Sequence, residues 1–394
     1  MTAPVHARPR WLVLTALVMV ALNLRIALTS VPALEDDIRQ ATQWSSAAIG
    51  ALTTIPVVCM GAFALLVPRI ARRIGRRQTI ALALALLTVA LGARAFAEVP
   101  GVLPLSVLVA GIGIALAAGL VPSVVREQLP AQVGMATGLW TAAMMIGAAL
   151  GGALTVPLAA WLGSWPAALA VWAVPAALGL IVWWVVEGGQ DDRAAGASAP
   201  VRIRDLPWRS RTAWALTLYL TMNAVVFYTS LAWLAPSYVD RGWSPAEAGF
   251  LFGAFTASQV IAALIMPAIA ERTPARRALY AAFLAVVLVG IIAIGLAPET
   301  LTVLVVTVYG AALGAGFAMG LALLSEFAAD GHASARLTAM AFAVTYLVGA
   351  MGPLLAGALL DASGSWESVY GMLAIAGLLQ FATVPALRRG SRIS

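Results

Sequence analysis

A single arginine inside a long apolar segment is the first candidate for chemistry. Arg25 follows Trp11 by fourteen residues, which is about 21 Å along a helix at ~1.5 Å per residue. Its guanidinium offers five N–H donors in a planar fork that suits oxyanions and carboxylates. If the segment spans a bilayer, a charge at this depth costs about 3 kcal/mol, so the side chain should face a protein interior or a watery cavity. The sequence therefore favours contact between Arg25 and a small anionic or strongly dipolar ligand.

Two polar residues near Arg25 are candidates to complete such a site. Thr29 lies one helical turn away and shares the face of Arg25, whereas Asn23 lies off that face. A structural role is the alternative for all three residues. Arg25 could bond backbone carbonyls, Asn23 or a tyrosine hydroxyl, and Thr29 and Asn23 could bond other helices.

The composition identifies the elements that must position these residues. Hydrophobic residues make up 62% of the chain and charged residues 10%, and the mean hydropathy is +0.93, values typical of an integral membrane protein. Apolar segments long enough to cross a hydrocarbon core recur along the chain. We predict twelve membrane-spanning helices, at residues 11–34, 45–67, 79–97, 102–124, 133–159, 166–186, 212–235, 246–267, 278–297, 301–324, 337–360 and 367–386. The first has no small-residue cleavage site before Glu35, so we expect it to be retained.

The distribution of arginine predicts the orientation of these spans. All 24 basic residues are arginine, and 20 of them fall on one side of the predicted membrane. The other side holds Arg39, Arg94 and Arg241. Because positive charge accumulates on the cytoplasmic side, both termini are expected in the cytoplasm and the chain is expected in the cell inner membrane.

Several other classes of function are disfavoured. The basic residues lie in short loops without a soluble domain to present them, which argues against nucleic-acid binding. Cys59 has no partner for a disulfide, and His6 and His332 lie outside the spans, so neither a metal nor a cofactor site is expected. The spans also lack paired catalytic residues, and we therefore do not expect an enzyme.

The chain repeats itself. A polar stretch at residues 187–211 divides it into an N-terminal bundle (1–186) and a C-terminal bundle (212–394), and we interpret the stretch as a cytoplasmic linker. Residues of the first span recur in the seventh at an offset of 200, with Asn23, Thr29, Ser30 and Leu34 matched by Asn223, Thr229, Ser230 and Leu234. Val225 stands where Arg25 would recur. Two six-helix halves enclosing a site near the middle of the membrane are a known plan for secondary transporters.

The second half supplies aromatic and polar candidates instead of a cation. A buried phenol seeks a hydrogen-bond partner, which makes Tyr228, Tyr309 and Tyr346 candidates to contact a planar solute. Gln259 is an uncharged polar candidate near the middle of span eight. Asn223 and Thr229 join the candidate site as repeat equivalents. Packing is the alternative for the tyrosines, and hydrogen bonding between helices is the alternative for the others.

The loop between spans two and three carries a family resemblance. Residues 68–77, Pro-Arg-Ile-Ala-Arg-Arg-Ile-Gly-Arg-Arg, resemble the Gly-x-x-x-Asp-Arg-x-Gly-Arg-Arg/Lys signature of the major facilitator superfamily of transporters. Pro68 and Arg72 replace the Gly and the Asp, so the gating salt bridge that the family attributes to that Asp is not carried over. The resemblance implies a gating role for the matching residues and for one repeat equivalent, namely Arg73, Gly75, Arg76, Arg77 and Arg272.

Further strings in the spans resemble the same superfamily and one of its branches. Residues 147–152 and 352–357 resemble its glycine-rich motif of span five. Residues 23–25, 29–31 and 53–57 resemble the cyanate and nitroimidazole transporter branch, CynX/NimT. The arginine that proton-coupled drug antiporters of the superfamily carry in span four is missing, which disfavours that kind of antiport.

These observations predict a secondary active or facilitative transporter. We expect a monomer whose two bundles rock about a central site by a rocker-switch mechanism and move a small anionic or strongly dipolar solute, such as a cyanate-, nitro- or carboxylate-like compound. Symport with a coupling proton and uniport both remain open. The alternative is an exporter of apolar drug-like compounds.

Overall fold

The computed structural model describes residues 10–63, 66–129, 132–186, 203–273, 276–296, 301–329 and 331–386. In the first half the helices are α1 Arg10–Thr29, α2 Glu35–Thr42, α3 Ser46–Phe63, α4 Val67–Ile74, α5 Arg76–Ala93, α6 Val102–Gln128, α7 Val133–Leu162, α8 Trp165–Val171 and α9 Ala173–Val186. In the second half they are α10 Arg211–Val239, α11 Pro245–Arg272, α12 Arg276–Leu296, α13 Thr302–Glu326, α14 Gly331–Gly349, α15 Met351–Ser363 and α16 Trp366–Phe381.

The predicted number of spans is confirmed for the described residues. Twelve helical segments are long and apolar enough to cross a membrane. Spans six and eleven each consist of two helices, α8 with α9 and α14 with α15. Pro175 and Pro353 lie just after these breaks. Because proline lacks an N–H and its ring clashes with the carbonyl of the fourth residue before it, a break at each of these positions is expected.

The duplication is visible in how equivalent spans begin and end. Gly163 and Gly364 end span five and span eleven in the left-handed conformation, at φ +63° in both cases. The serine that follows each glycine caps the next helix. The hydroxyl of Ser164 accepts a hydrogen bond from the Ala167 N–H, and that of Ser365 accepts one from the Glu367 N–H.

The spans pack as two bundles of six, as predicted. In the first bundle α1 packs against α7 and α9, and in the second α10 packs against α14 and α16. The glycine-rich motifs allow equivalent close contacts, because a Cβ atom at Gly147 would clash with the backbone of Leu22, and one at Gly352 would press on the backbone of Val225. Residues 187–202 of the predicted linker lie outside the described residues, and the bundle boundaries stay a prediction.

The two bundles meet closely at one end. We call the end opposite the start of α1 and the end of α16 the far end. It contains α2, the first residues of α3 and the last residues of α15. Asp361 of α15 accepts hydrogen bonds of 2.8 Å from the N–H groups of both Ser46 and Ala47 in α3. Gly50 of α3 lies against the Pro353 carbonyl, where a Cβ atom would not fit. The far end is therefore closed.

Candidate functional site

Arg25 projects from α1 towards aromatic side chains of the other bundle. Its guanidinium carbon lies 5.4 Å from the centroid of the Phe227 ring, a distance at which a cation is attracted to the ring face. The phenol groups of Tyr228 and Tyr346 also face it. Tyr228 and Phe227 lie on α10 and Tyr346 on α14. The structure thus brings together three of the predicted site residues, Arg25, Tyr228 and Tyr346.

The charge of Arg25 has no carboxylate partner among the described residues. The described ion pairs involve Arg39 and Arg204 instead. The Nε of Arg25 is buried and, within the described part of the chain, lacks a hydrogen-bond partner. A buried donor without a partner costs free energy, and the cost is larger for a charged group. Arg25 therefore retains both charge and hydrogen-bonding capacity for a ligand.

Two pairs of contacting aromatic residues, Phe227 with Tyr228 and Phe342 with Tyr346, form an aromatic wall near Arg25. The rings of Phe227 and Tyr228 meet edge to face at a centroid distance of 5.0 Å. Tyr346 packs against the apolar cores of both bundles and against Phe342, whose ring centroid lies 5.7 Å away. Such a wall restricts the size of a solute and favours one with a flat or delocalised π system.

Thr29 connects this region to a cavity at the far end. Its hydroxyl donates to the Arg25 carbonyl at 3.0 Å. Thr29 also lines a cavity of about 40 Å³ between the bundles, together with Glu35, Leu231 and Phe252. The cavity therefore begins one helical turn from Arg25 and extends towards the far end.

The two predicted asparagines hold helices of their own bundles together. Asn23 donates from Nδ2 to the carbonyls of Met19, at 2.7 Å, and of Pro175 in α9, at 3.0 Å. Asn223 donates from Nδ2 to the Leu313 carbonyl in α13 at 3.4 Å. The structure does not bring either amide into contact with the Arg25 guanidinium.

The remaining candidates of the second half also lie among its helices. Tyr309 shares a 2.6 Å hydrogen bond with Ser230, and its ring stacks on Phe255. Thr229 is fully buried, and its hydroxyl lacks a partner among the described residues. Gln259 is 4% exposed, and its Nε2 likewise has no described partner. These two unsatisfied groups are not part of the Arg25 cluster.

The predicted gating residues lie at the end opposite the far end. Gly75 has φ +89° and precedes α5, a conformation that favours glycine. Arg77 packs over the Trp184 ring at 4.6 Å and so ties α5 to α9. Arg76 is buried, whereas Arg73 and Arg272 are exposed. Whether they gate transport stays a prediction.

Arg94 is also buried, although in the sequence it served only to predict the orientation of the spans in the membrane. Arg94 is 1% exposed at the far end of α5. Its Nη1 donates to the Ser30 hydroxyl and its Nη2 to the Ala27 carbonyl, both at 3.1 Å, and its Nε lies 3.4 Å from the Ser106 hydroxyl. Arg94 thus ties three helices together, and the repeated serine at position 30 was the signal that could have indicated it.

Phe227 directly precedes Tyr228, which was a predicted site residue, but Phe227 itself was not predicted to be part of the site. The signal was its spacing, since it follows by two residues the position equivalent to Arg25. A residue near the equivalent position of the opposing helix approaches the same point from the other bundle.

Comparisons with known proteins agree with the fold. The sequence profile of the Major Facilitator Superfamily matches residues 13–241 and 230–392. The 2-nitroimidazole transporter of Escherichia coli (strain K12) is 32% identical over 374 residues, 94% of this chain and 93% of that protein. The cyanate transport protein CynX of the same organism is 31% identical over 369 residues, 93% of this chain and 95% of that protein.

Solved structures agree at much lower sequence identity. A crystal structure of a point mutant of the nucleoside transporter NupG superimposes with a TM-score of 0.77 at 13% identity, covering 95% of this chain and all of that one. A crystal structure of a D-xylose-proton symporter gives a TM-score of 0.73 at 16% identity, covering 97% of this chain and 99% of that one. The chain belongs to the major facilitator superfamily and is a transporter, not an enzyme.

Proposed function

We propose that this transporter moves a small anionic or strongly dipolar solute across the inner membrane, and that Arg25 binds the solute directly. The observation that carries the proposal is the buried Nε of Arg25, which lacks both a carboxylate and a hydrogen-bond partner among the described residues. A solute with an oxyanion or nitro group accepts hydrogen bonds from the guanidinium fork and balances its charge.

The aromatic wall narrows the class of solute. A flat solute that accepts hydrogen bonds from the edge of the Arg25 guanidinium lies beside the rings of Tyr228 and Tyr346 while the guanidinium stays over Phe227, and the two phenols supply further hydrogen bonds. The names of two relatives support this class, because cyanate is a small anion and 2-nitroimidazole is a small planar ring with a nitro group.

In this proposal, relative motion of the two bundles carries the solute across the membrane. The far end is closed by contacts between α3 and α15, and α7 and α11 also pack against each other across the bundle interface. In our proposal the protein acts as a monomer with both termini in the cytoplasm, so the far end faces outwards. Rocking of one bundle against the other opens the far end and closes the opposite end while Arg25 stays between them. Arg73, Gly75, Arg76, Arg77 and Arg272 gate the cytoplasmic end.

Uptake into proteoliposomes tests the proposal. Wild type should accumulate labelled cyanate, 2-nitroimidazole or small carboxylates, and Arg25→Ala should reduce uptake about 10- to 100-fold, as expected for loss of charge-assisted hydrogen bonds. Arg209→Ala, which removes an exposed arginine at the opposite end, is the matched control and should transport normally. Undiminished uptake by Arg25→Ala would contradict the proposal, and export of lipophilic compounds by both variants would support an exporter of apolar compounds instead.

A further inference from the structure

The far end contains a buried carboxyl group that the proposed solute site does not use. Glu35 begins α2, and its side chain is 4% exposed. Its Oε1 has no hydrogen-bond partner within the described residues. Glu35 lines the same cavity between the bundles as Thr29. A carboxylate in such a place is unusual, because burial without full hydrogen bonding disfavours the charged form.

The charged groups around Glu35 come from both bundles. The Nε of Arg39 lies 3.5 Å from its Oε1. The Nη2 of the same guanidinium lies 2.9 Å from Asp36 and 3.7 Å from Asp240, which belongs to the second bundle. Asp37 also lines the cavity, whereas α7 and α11 contribute uncharged residues to its wall. One arginine therefore faces three carboxyl groups, two of them on its own helix and one across the bundle interface.

Like charges and burial act in the same direction on Glu35. Burial disfavours a negative charge on Glu35, the Arg39 guanidinium opposes this effect, and the Asp36 and Asp240 carboxyl groups add to it, so a proton is favoured on Glu35 or on its neighbour Asp36. Glu35 is the more buried of the two, with 4% against 28% exposure, so the proton is more stable there. When Glu35 is neutral, Arg39 pairs with Asp36 and Asp240. The ion pair between Arg39 and Asp240, which joins the bundles, is then preserved.

An ionised Glu35 has the opposite effect. It competes with Asp240 for the Arg39 guanidinium, and its charge is poorly solvated because the side chain is only 4% exposed. Both effects are relieved when the bundles separate at the far end. The protonation state of Glu35 and the closure of the far end are therefore linked.

We propose that Glu35 binds a proton as the far end closes and releases it as the far end opens. The proton comes from water at the far end and forms an O–H bond on the carboxylate, and it returns to water when the cavity opens. Because the closed state binds this proton more tightly, closure is favoured at low pH and lost as pH rises. The proposal rests on the alternating access proposed above.

Distance measurements between spin labels test the proposal without any solute. The labels are introduced in a variant in which Cys59 is replaced by serine. They are placed at Gln40 of α2 and Ala362 of α15, which are exposed and lie in different bundles, so the distance between them reports opening of the far end. In nanodiscs, raising the pH from about 5 to about 9, the range over which buried carboxyls titrate, should increase the open-to-closed ratio. We expect an increase of about fivefold or more, the usual size of coupling between two sites.

Three variants separate the effect of Glu35 from that of other carboxyl groups. Glu35→Gln mimics the protonated form, so its short distance should persist at every pH. Glu98→Gln removes an exposed carboxyl group that does not line the cavity and should respond to pH as wild type does. Glu35→Asp keeps a titratable group and should retain a response, which distinguishes loss of the proton site from misfolding.

Three results would overturn the proposal. They are a wild-type distance that does not change with pH, a Glu35→Gln variant that responds like wild type, and opening controlled by sodium at constant pH. The measurement is independent of the solute, so a negative uptake assay for anions leaves it unaffected. Conversely, loss of uptake in Arg25→Ala does not depend on whether the far end responds to pH.

Discussion

Arg25 and Arg39 lie fourteen residues apart in the sequence but have opposite surroundings. Arg25 points between the bundles, faces three aromatic rings and forms no ion pair with a described carboxylate. Arg39 lies at the far end and is within 4 Å of three carboxyl groups. A cation that joins fixed acids holds protein to protein, whereas a cation without an acid is available to a mobile solute. Two arginine side chains of one protein thus have two separate roles.

Replacing each arginine by lysine is the strongest test of this difference. Arg25→Lys keeps the charge but loses the planar fork, so we expect uptake of an anion to fall by about 100-fold at most, the equivalent of one or two charge-assisted hydrogen bonds. Arg39→Lys should alter uptake only about twofold, because exposed ion pairs are weak and a lysine also serves them. Initial uptake rates in proteoliposomes check both. Equal losses would remove the distinction between the two arginines.

Filling the space at Gly50 should have the next largest effect. A side chain there meets the Pro353 carbonyl, and overpacking of about 2 kcal/mol would shift the far end towards open by roughly 30-fold. Gly253 has no atom within 4 Å of an added Cβ and provides the matched control. We expect Gly50→Val to lengthen the distance between labels at Gln40 and Ala362 and Gly253→Val to leave it unchanged. A short distance in both would show that the α3–α15 contact does not hold the far end closed.

Removing one ring of the aromatic wall should weaken solute binding moderately. Phe227→Leu loses the cation–π contact with Arg25, which corresponds to about a fivefold loss of affinity at ~1 kcal/mol. Phe342→Leu is the control, since that ring touches Tyr346 and is not placed over the guanidinium. Thermal-shift titration with the transported anion measures both affinities. A greater loss for Phe342→Leu would place the solute elsewhere along the wall.

The smallest effect is expected at the ion pair between the bundles. Asp240→Asn removes a partly exposed carboxylate that lies 3.7 Å from Arg39, and such pairs contribute about 0.2 to 1 kcal/mol. The open-to-closed ratio should rise roughly twofold at low salt and the difference from wild type should shrink at high salt. The distance between labels at Gln40 and Ala362, measured at low and at high salt, checks this salt dependence. A difference that persists at high salt would mean that Asp240 acts through its hydrogen bond with Trp366.

The sequence predicted the spans and the central cation better than it predicted the hydrogen-bond partners of buried polar side chains. Long apolar segments determine their own helices, so twelve spans could be recognised without tertiary information. Arg25 was recognisable because a charge in such a segment is costly. The partners of Arg94 lie in two separate parts of the chain, Ala27 and Ser30 at the end of the first span and Ser106 in the fourth, and no local pattern joins them to Arg94.

Polar residues on the first span illustrate the same limit. Asn23 and Thr29 have similar positions in the sequence, yet Asn23 bonds α9 and Thr29 reaches the cavity. Helical periodicity gives their relative angle but not which neighbouring helix each one meets. No local pattern singled out Glu35 in the sequence, because its burial depends on contact with the second bundle.

The contact of Asp361 with α3 has a consequence for how this protein can vary. Its carboxylate is held by the backbone N–H groups of Ser46 and Ala47, which almost every amino acid supplies in the same place. Substitutions on α3 other than proline therefore leave the donors intact, whereas a change at position 361 removes the acceptor. The Asp361 contact therefore tolerates changes of side chain at positions 46 and 47 but not at position 361, so rates of alternation between orientations can be tuned, in evolution or by engineering, through that one acidic residue.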